Sequence, residues 1–171
     1  METCAKCEAP VAFERRNYQY TESGLSNVVL QGVEVARCEA CGNEDVLLPN
    51  VEKIHWAIAR ALTAENPARM TGEQLRFRRK HLGFSGEQLA KHLGTDKTKI
   101  SKWERGEDPI GKSTDRLVRL LVAELDEELK PTAAAVAGHF PLITDQSGSA
   151  FELRVDVATL RTGFVVADRA A

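Results

Sequence analysis

The sequence predicts an α+β protein: a small β-rich unit held by cysteines, a connector helix, an all-α unit, and a short C-terminal extension containing β structure. Three observations predict it. All four cysteines fall in two C-x-x-C pairs, Cys4/Cys7 and Cys38/Cys41. Apolar residues recur at helical spacing, punctuated by glycines, through residues 71–129. Strand-like alternation appears on either side of that stretch. The expected boundaries are 1–49, 50–68, 69–130 and 131–171.

Bulk composition narrows the class. A chain of 171 residues accommodates one or two small domains. A charged fraction of 28% with only 6% aromatics suits a helix-rich soluble protein. No apolar run approaches the ~20 residues that span a bilayer, so no membrane partner is expected. The polar N-terminus enters the cysteine motif at once, which argues against a signal peptide. A cytoplasmic, reducing setting follows, where thiols bind metal rather than oxidise.

The net charge of −2 conceals a segregation. Residues 69–119 hold 13 Lys+Arg against 7 Asp+Glu, a net of +6; the remaining 10 basic and 18 acidic residues give −8. A basic island in an acidic chain is the footprint of polyanion binding by one module.

Within residues 1–48, Val11–Phe13 and Tyr18–Tyr20 are strand candidates. Val28–Leu30, a Gln31-Gly32 turn and Val33–Ala36 read as strand, turn and strand. The last of these would return Cys38 and Cys41 to the first pair. Residues 50–65 read as a helix with Asn50 as N-cap and Ile54, Ala57, Ile58, Ala61 and Leu62 at helical spacing. Asn66-Pro67 would end it. Thr71/Gln74 and Ser85/Gln88 fit capping boxes, and Gly83, Gly94 and Gly106 fit helix stops. A long helix would follow, capped by Ser113 or Thr114, with Leu117, Leu120, Leu121 and Leu125 as its apolar stripe and an acidic end at Glu124–Glu128. Beyond Pro131, Ala133–Ala137, Pro141 and a loop at Gly148 precede an alternating strand at Phe151–Val157. Gly163–Val166 could pair with that strand.

The cysteines carry the first chemistry. A C-x-x-C turn puts two sulfurs on one side of a tight knuckle, and two knuckles complete a tetrahedron. Cys4, Cys7, Cys38 and Cys41 are therefore expected to hold one structural zinc per chain, closed to substrate. A redox motif and a pair of disulfides are the competing readings; two copies in a reducing setting favour metal. So small a unit cannot bury much core, and a metal staple makes physical sense.

The helical stretch carries the second. Leu89, Ala90 and Leu93 would form the inner face of one helix, Ile100 and Trp103 that of the next, with Gly94 in the turn. The second helix then presents Lys97, Thr98, Ser101 and Lys102 on one face, suited to read base edges in a major groove. Ser85, Lys99, Arg105 and Lys112 are placed to grip phosphates. Arg79 and Glu104 can form an internal ion pair. No paired carboxylates, activated nucleophile or open metal site stands out; His55, His81, His92 and His139 are scattered, and His55 beside Trp56 reads as connector packing rather than catalysis. The chain is not expected to be an enzyme.

These residues resemble a known family. Phe84–Ala90 and Ile100–Gly106 are similar to the Xre/Cro-type helix-turn-helix. The order of parts, from Cys4/Cys7 through Tyr18–Val35 and Cys38/Cys41 to connector and helices, resembles the MqsA (YgiT) family of antitoxins over residues 1–129. That resemblance implies a zinc unit that binds an mRNA-cleaving toxin, and a domain that dimerises and represses from a palindromic DNA operator. By position, Thr98 and Lys102 match the family's base-reading sites and the four cysteines its zinc ligands. Gly86 stands where many Xre proteins carry a phosphate-touching glutamine, and residues 131–171 have no counterpart in the short antitoxins. The alternative expectation is a stand-alone regulator without a toxin, whose zinc unit or extension serves sensing or oligomerisation.

Overall fold

The computed structural model describes residues 3–65, 68–125, 152–158 and 160. Strand β2 (Val28–Cys38) is the spine of a four-stranded sheet. Along one edge it pairs antiparallel with β1 (Val11–Gln19), from Val11 opposite Cys38 to Gln19 opposite Val29. Its other edge is shared. β3 (Glu44–Leu47) pairs antiparallel with Glu34–Arg37, and β4 (Leu153–Asp156) pairs parallel with Val28–Gln31.

The expected turn at Gln31-Gly32 is corrected here: β2 runs through it as one strand. Between the Arg16/Val33 and Tyr18/Leu30 pairs, β1 spends one residue and β2 spends two. The extra residue is a β-bulge, and Gly32 takes it up at φ +70. The bulge switches parity, so Val28 and Leu30 before it and Val33 and Val35 after it all point into the core. The two short strands expected before Tyr20 are likewise one, β1.

The predicted connector is the centre of the molecule. Helix α1 (Val51–Arg60) starts at Asn50, whose side chain accepts from the Lys53 N–H at 2.9 Å. It then widens into a π-turn over Ala61–Glu65. Ile54, Trp56, Ala57, Ile58, Ala59, Ala61 and Leu62 are all buried. A helix apolar on nearly every side must be covered on every side. The core accordingly runs without a break from Tyr20 and Leu25 in the β1–β2 connection and Val28 on β2, through α1, to Leu75, Phe77 and Ile100.

Four helices follow: α2 (Gly72–His81), α3 (Gly86–His92), α4 (Lys97–Glu104) and α5 (Lys112–Leu125). The Ser85/Gln88 capping box is complete, with Ser85 N–H donating to Gln88 Oε1 at 2.8 Å and Gln88 N–H to Ser85 Oγ at 3.2 Å. The Thr71/Gln74 box is half made. Gln74 N–H donates to Thr71 Oγ1 at 3.3 Å, but the Gln74 side chain turns inward and is buried. Helix α5 begins at Lys112, before the expected Ser113 or Thr114 cap. Its buried stripe is also corrected. Asp115, Val118, Arg119, Val122 and Ala123 face inward; of the expected leucines, Leu121 packs partly buried against the core, Leu120 is half-buried, and Leu117 and Leu125 are 46% and 45% exposed. Both stripes have helical spacing; the one chosen includes an ion pair that composition assigns to the surface.

Part of the extension is integral. Leu153, Val155 and Val157 are buried, and Lys53 of α1 donates to the Leu160 carbonyl at 3.4 Å. The expectations at Asn66-Pro67, Asp126–Glu128, Ala133–Ala137, Pro141, Gly148, Phe151 and Gly163–Val166 lie outside the described residues.

Helix α2 meets the end of α4 at Gly72. A Cβ there would strike the Trp103 carbonyl oxygen and approach the Glu104 carbonyl oxygen to 2.8 Å. Backbone cannot move aside as a flexible side chain does. Gly72→Ala is expected to cost about 1–3 kcal/mol in urea unfolding; an unchanged midpoint would show that α4 is not seated on α2.

Candidate metal and nucleic-acid sites

The metal candidate is built from two knuckles that repeat one backbone design. In the first, Cys4 N–H donates to Ala9 O at 2.8 Å and Glu8 N–H to Cys4 O at 2.9 Å. In the second, Cys38 N–H donates to Asn43 O at 2.9 Å and Gly42 N–H to Cys38 O at 2.9 Å. Both place the residue after the second cysteine in the left-handed region, Glu8 at φ 60 and Gly42 at φ 70. Glycine meets that demand without cost, whereas Glu8 does not. A strand end at Cys38 and the bridge from Thr3 to Pro10 bring the knuckles face to face.

The four sulfurs lie within 4.8 Å of one another. Cys4 Sγ is 3.6 Å from Cys41 Sγ, and Cys7 Sγ is 3.5 Å from Cys38 Sγ. A tetrahedron with metal–sulfur bonds of about 2.3 Å has edges of about 3.8 Å, so the cluster fits one ion. The separations far exceed a disulfide, which is about 2.05 Å, and all four cysteines are free. Backbone N–H donation from Cys41, then the thiols of Cys7 and Cys41 and the Ala40 amide, bring Cys38 down to about 7 against its burial. Cys7 is pushed up to about 12: the Ala9 amide lowers it, but the thiols of Cys41, Cys38 and Cys4 and burial outweigh that. A bound cation is what lets all four ionise together.

The nucleic-acid candidate lies on α3 and α4. Leu89, Ala90, Ile100 and Trp103 are buried, with Leu93 partly so. Lys97, Thr98 and Lys102 are exposed on α4. Ser101, on the same face, is half-buried and accepts from Arg105 Nη1. Of the expected phosphate grips, Ser85 is exposed and its oxygen is engaged as the α3 N-cap. Lys112 is exposed at the start of α5. Lys99 instead pairs with Asp108 at 3.0 Å, and Arg105 pairs with Glu107 through two bonds of 2.5 and 2.9 Å.

Arg79 and Glu104 come together as a two-pronged pair. Arg79 Nε donates to Glu104 Oε1 at 2.6 Å and Nη2 to Oε2 at 3.0 Å. Arg79 Nη1 also donates to the Phe84 carbonyl at 2.9 Å. One guanidinium thus ties α2, the turn before α3 and the end of α4 into a fixed frame.

Sequence reasoning missed one polar cluster. Asp115, Arg119 and Arg78 form a buried hub beneath the π-turn; the i,i+4 spacing of Asp115 and Arg119 was its only local signal. His55 packs within the connector as expected, and it also makes a polar contact. Its Nε2 lies 2.9 Å from the Tyr20 hydroxyl, and its ring meets Phe77 edge-on at 5.8 Å. Burial, and next the His81 charge, hold His55 below its ordinary 6.5. The unfolded chain therefore takes up this proton first. The stability His55 contributes is present above about pH 6.5 and declines as pH falls towards the folded value. His55→Gln is expected to flatten the fall in melting temperature between pH 7.5 and 5.5; an equally steep fall in parent and variant would assign it to other groups.

Among the described residues no helix is long and apolar enough to cross a membrane. Residues 71–129 match the family model described as a helix-turn-helix domain. Among curated proteins, the HTH-type transcriptional regulator DicA of Escherichia coli (strain K12) is 37% identical over 68 residues, covering 36% of this chain and 50% of DicA. The chain thus spans about half the length of that curated relative. No solved structure matches it. Helices α2–α5 fall within the residues that match the helix-turn-helix domain.

Proposed function

We propose that the chain is a cytoplasmic, DNA-binding transcriptional repressor, acting as a homodimer on a two-fold operator. The observation that carries this reading is the exposed face of Lys97, Thr98 and Lys102 on α4, fixed by the Arg79–Glu104 pair within a matched helix-turn-helix domain. Lys102 donates to guanine acceptors, Thr98 meets a base edge or a thymine methyl, and Ser85 and Lys112 grip phosphates. Two such faces, related by the dimer axis, read half-sites one helical turn apart. The four cysteines hold one structural zinc, which keeps the knuckles folded and takes part in no reaction.

Residues 1–49 act as an antitoxin-type partner surface in this reading, with 50–68 as connector, 69–130 as the DNA unit and 131–171 as an extension. Beside the cysteines, Ala12, Phe13, Glu14, Arg37 and Glu39 line a groove of about 520 Å³. Phe13 is 45% exposed there, and an endoribonuclease-like toxin docks against it. A second reading is a stand-alone regulator, favoured by β4. That strand fills part of the β2 edge with the chain's own extension, unlike the short antitoxins that residues 1–129 resemble.

Operator selection from a random duplex pool, followed by titration, tests the reading. Lys102→Ala is expected to weaken the selected site by about 1–3 kcal/mol and relax specificity at one position. Parent binding should weaken steeply with salt as counterions are released. Equal affinity for selected and scrambled duplexes would remove the repressor reading. Capture of the neighbouring gene product by the full chain, lost on Phe13→Glu, would favour the antitoxin reading over the stand-alone one.

A further inference from the structure

We infer that the loop Gly106–Pro109 after α4 carries built-in competitors for DNA phosphate: Asp108 occupies Lys99 and Glu107 occupies Arg105, holding duplex affinity below what the basic helix alone would give. The inference rests on the duplex-binding reading above.

The backbone fixes where these carboxylates sit. Gly106 N–H donates to Trp103 O at 3.0 Å and Glu107 N–H to Lys102 O at 3.0 Å. These are the two bonds of a Schellman ending, with Gly106 in the left-handed position at φ +73. The chain therefore turns back over the end of α4 and presents Glu107 and Asp108 to the side chains of that helix. Lys99 Nζ lies 3.0 Å from Asp108 Oδ2 and 5.8 Å from the Trp103 ring centroid. Arg105 meets Glu107 fork to fork and also holds Ser101.

A carboxylate offers a guanidinium or an ammonium the same kind of oxygen pair that a phosphate does. Hydrogen bonding to Lys99 keeps Asp108 below the usual carboxylate range, and hydrogen bonding to Arg105 does the same for Glu107. The charge on Lys102 lowers both further, so both carboxylates are anionic at neutral pH. All four side chains are a third to a half exposed. Exposed pairs of this kind add little to folding and open readily. Their weight falls on binding, since phosphate must displace a carboxylate before gripping Lys99 or Arg105. Opening the Arg105 pair also frees Ser101 on the reading face.

The test uses the full chain and a short labelled duplex of mixed sequence at moderate salt. Asp108→Asn and Glu107→Gln are each expected to tighten binding about two- to five-fold, and together about ten-fold. Lys99→Gln should cost less than about two-fold in the parent but remove the whole gain of Asp108→Asn. Unchanged melting temperatures would place these effects in binding. Unchanged or weaker binding by both carboxylate variants would overturn the inference. So would a gain that survives Lys99→Gln, because simple loss of negative charge acts without Lys99. A parent that binds no duplex at low salt removes the duplex reading and the inference together; a parent that binds but ignores these substitutions removes the inference alone.

Discussion

Metal analysis of the reduced protein is expected to find one zinc per chain, and a strong chelator to melt both knuckles while leaving α2–α5 folded. The reason is local. Apart from Cys4 and Cys38, residues 3–8 and 38–42 have no buried side chain. Nothing apolar holds Ala5, Lys6, Glu39 or Ala40 in place, and Glu8 must be kept in a left-handed conformation that it does not favour. Structural zinc supplies about 10–16 kcal/mol of apparent free energy in small zinc-dependent folds, far more than the few hydrogen bonds here. Cys38→Ser should reduce the zinc content to near zero. Amide exchange at Glu8 and Gly42 should accelerate by orders of magnitude in chelator, while Leu89 and Ile100 stay protected. Iron in place of zinc, or full protection of Gly42 without metal, would remove the assignment.

Where local chemistry decides a conformation, the sequence was legible. The C-x-x-C spacing, the Ser85/Gln88 box and the glycines after α2, α3 and α4 each involve groups a few residues apart. The inward set Leu89, Ala90, Ile100 and Trp103 follows from periodicity within one motif. Glu8 was the exception: its left-handed backbone shows only when the first knuckle is laid over the second, where Gly42 gives the signal away.

Where a choice depends on distant parts of the chain, local reading went astray. Gly32 reads as a turn to anything that sees only its neighbours; pairing with β1 turns it into a bulge. Helix α5 offers two stripes of helical spacing, and the leucine stripe is the more apolar. Its partner is the π-turn after α1, whose carbonyls need donors, and that need selects the face with Arg119. The carboxylates beside Lys99 and Arg105, two expected phosphate grips, are equally invisible to local reading. They lie beyond Gly106, and only the fold of that turn brings them back.

The hub under the π-turn sets the remaining large expectation. Asp115 Oδ1 accepts from Arg119 Nε at 2.6 Å and Oδ2 accepts from the Met70 N–H at 2.8 Å. Arg119 also donates to the carbonyls of Leu62 at 3.0 Å and Ala68 at 2.8 Å. Arg78, fully buried, donates to Leu62 O at 2.5 Å and Gln74 O at 3.3 Å. Burial and then the Arg119 charge pull Arg78 below its ordinary value, and Asp115 opposes them. Asp115 thus offsets both buried guanidiniums, and these cap carbonyls where α1 ends. Asp115→Asn should cost about 3–5 kcal/mol, because it removes the buried carboxylate that Arg119 grips and that opposes the burial of Arg78. Arg119→Met should cost a similar amount, because it takes the guanidinium away from the buried Asp115 carboxylate. The double variant should lose clearly less than the two single losses added, since each partner's removal relieves the other's unpaired charge. Urea unfolding of the four proteins measures this coupling. Strict additivity, or single losses below about 1 kcal/mol, would mean that the hub is solvated and that apolar packing alone joins α1 to the helices that follow.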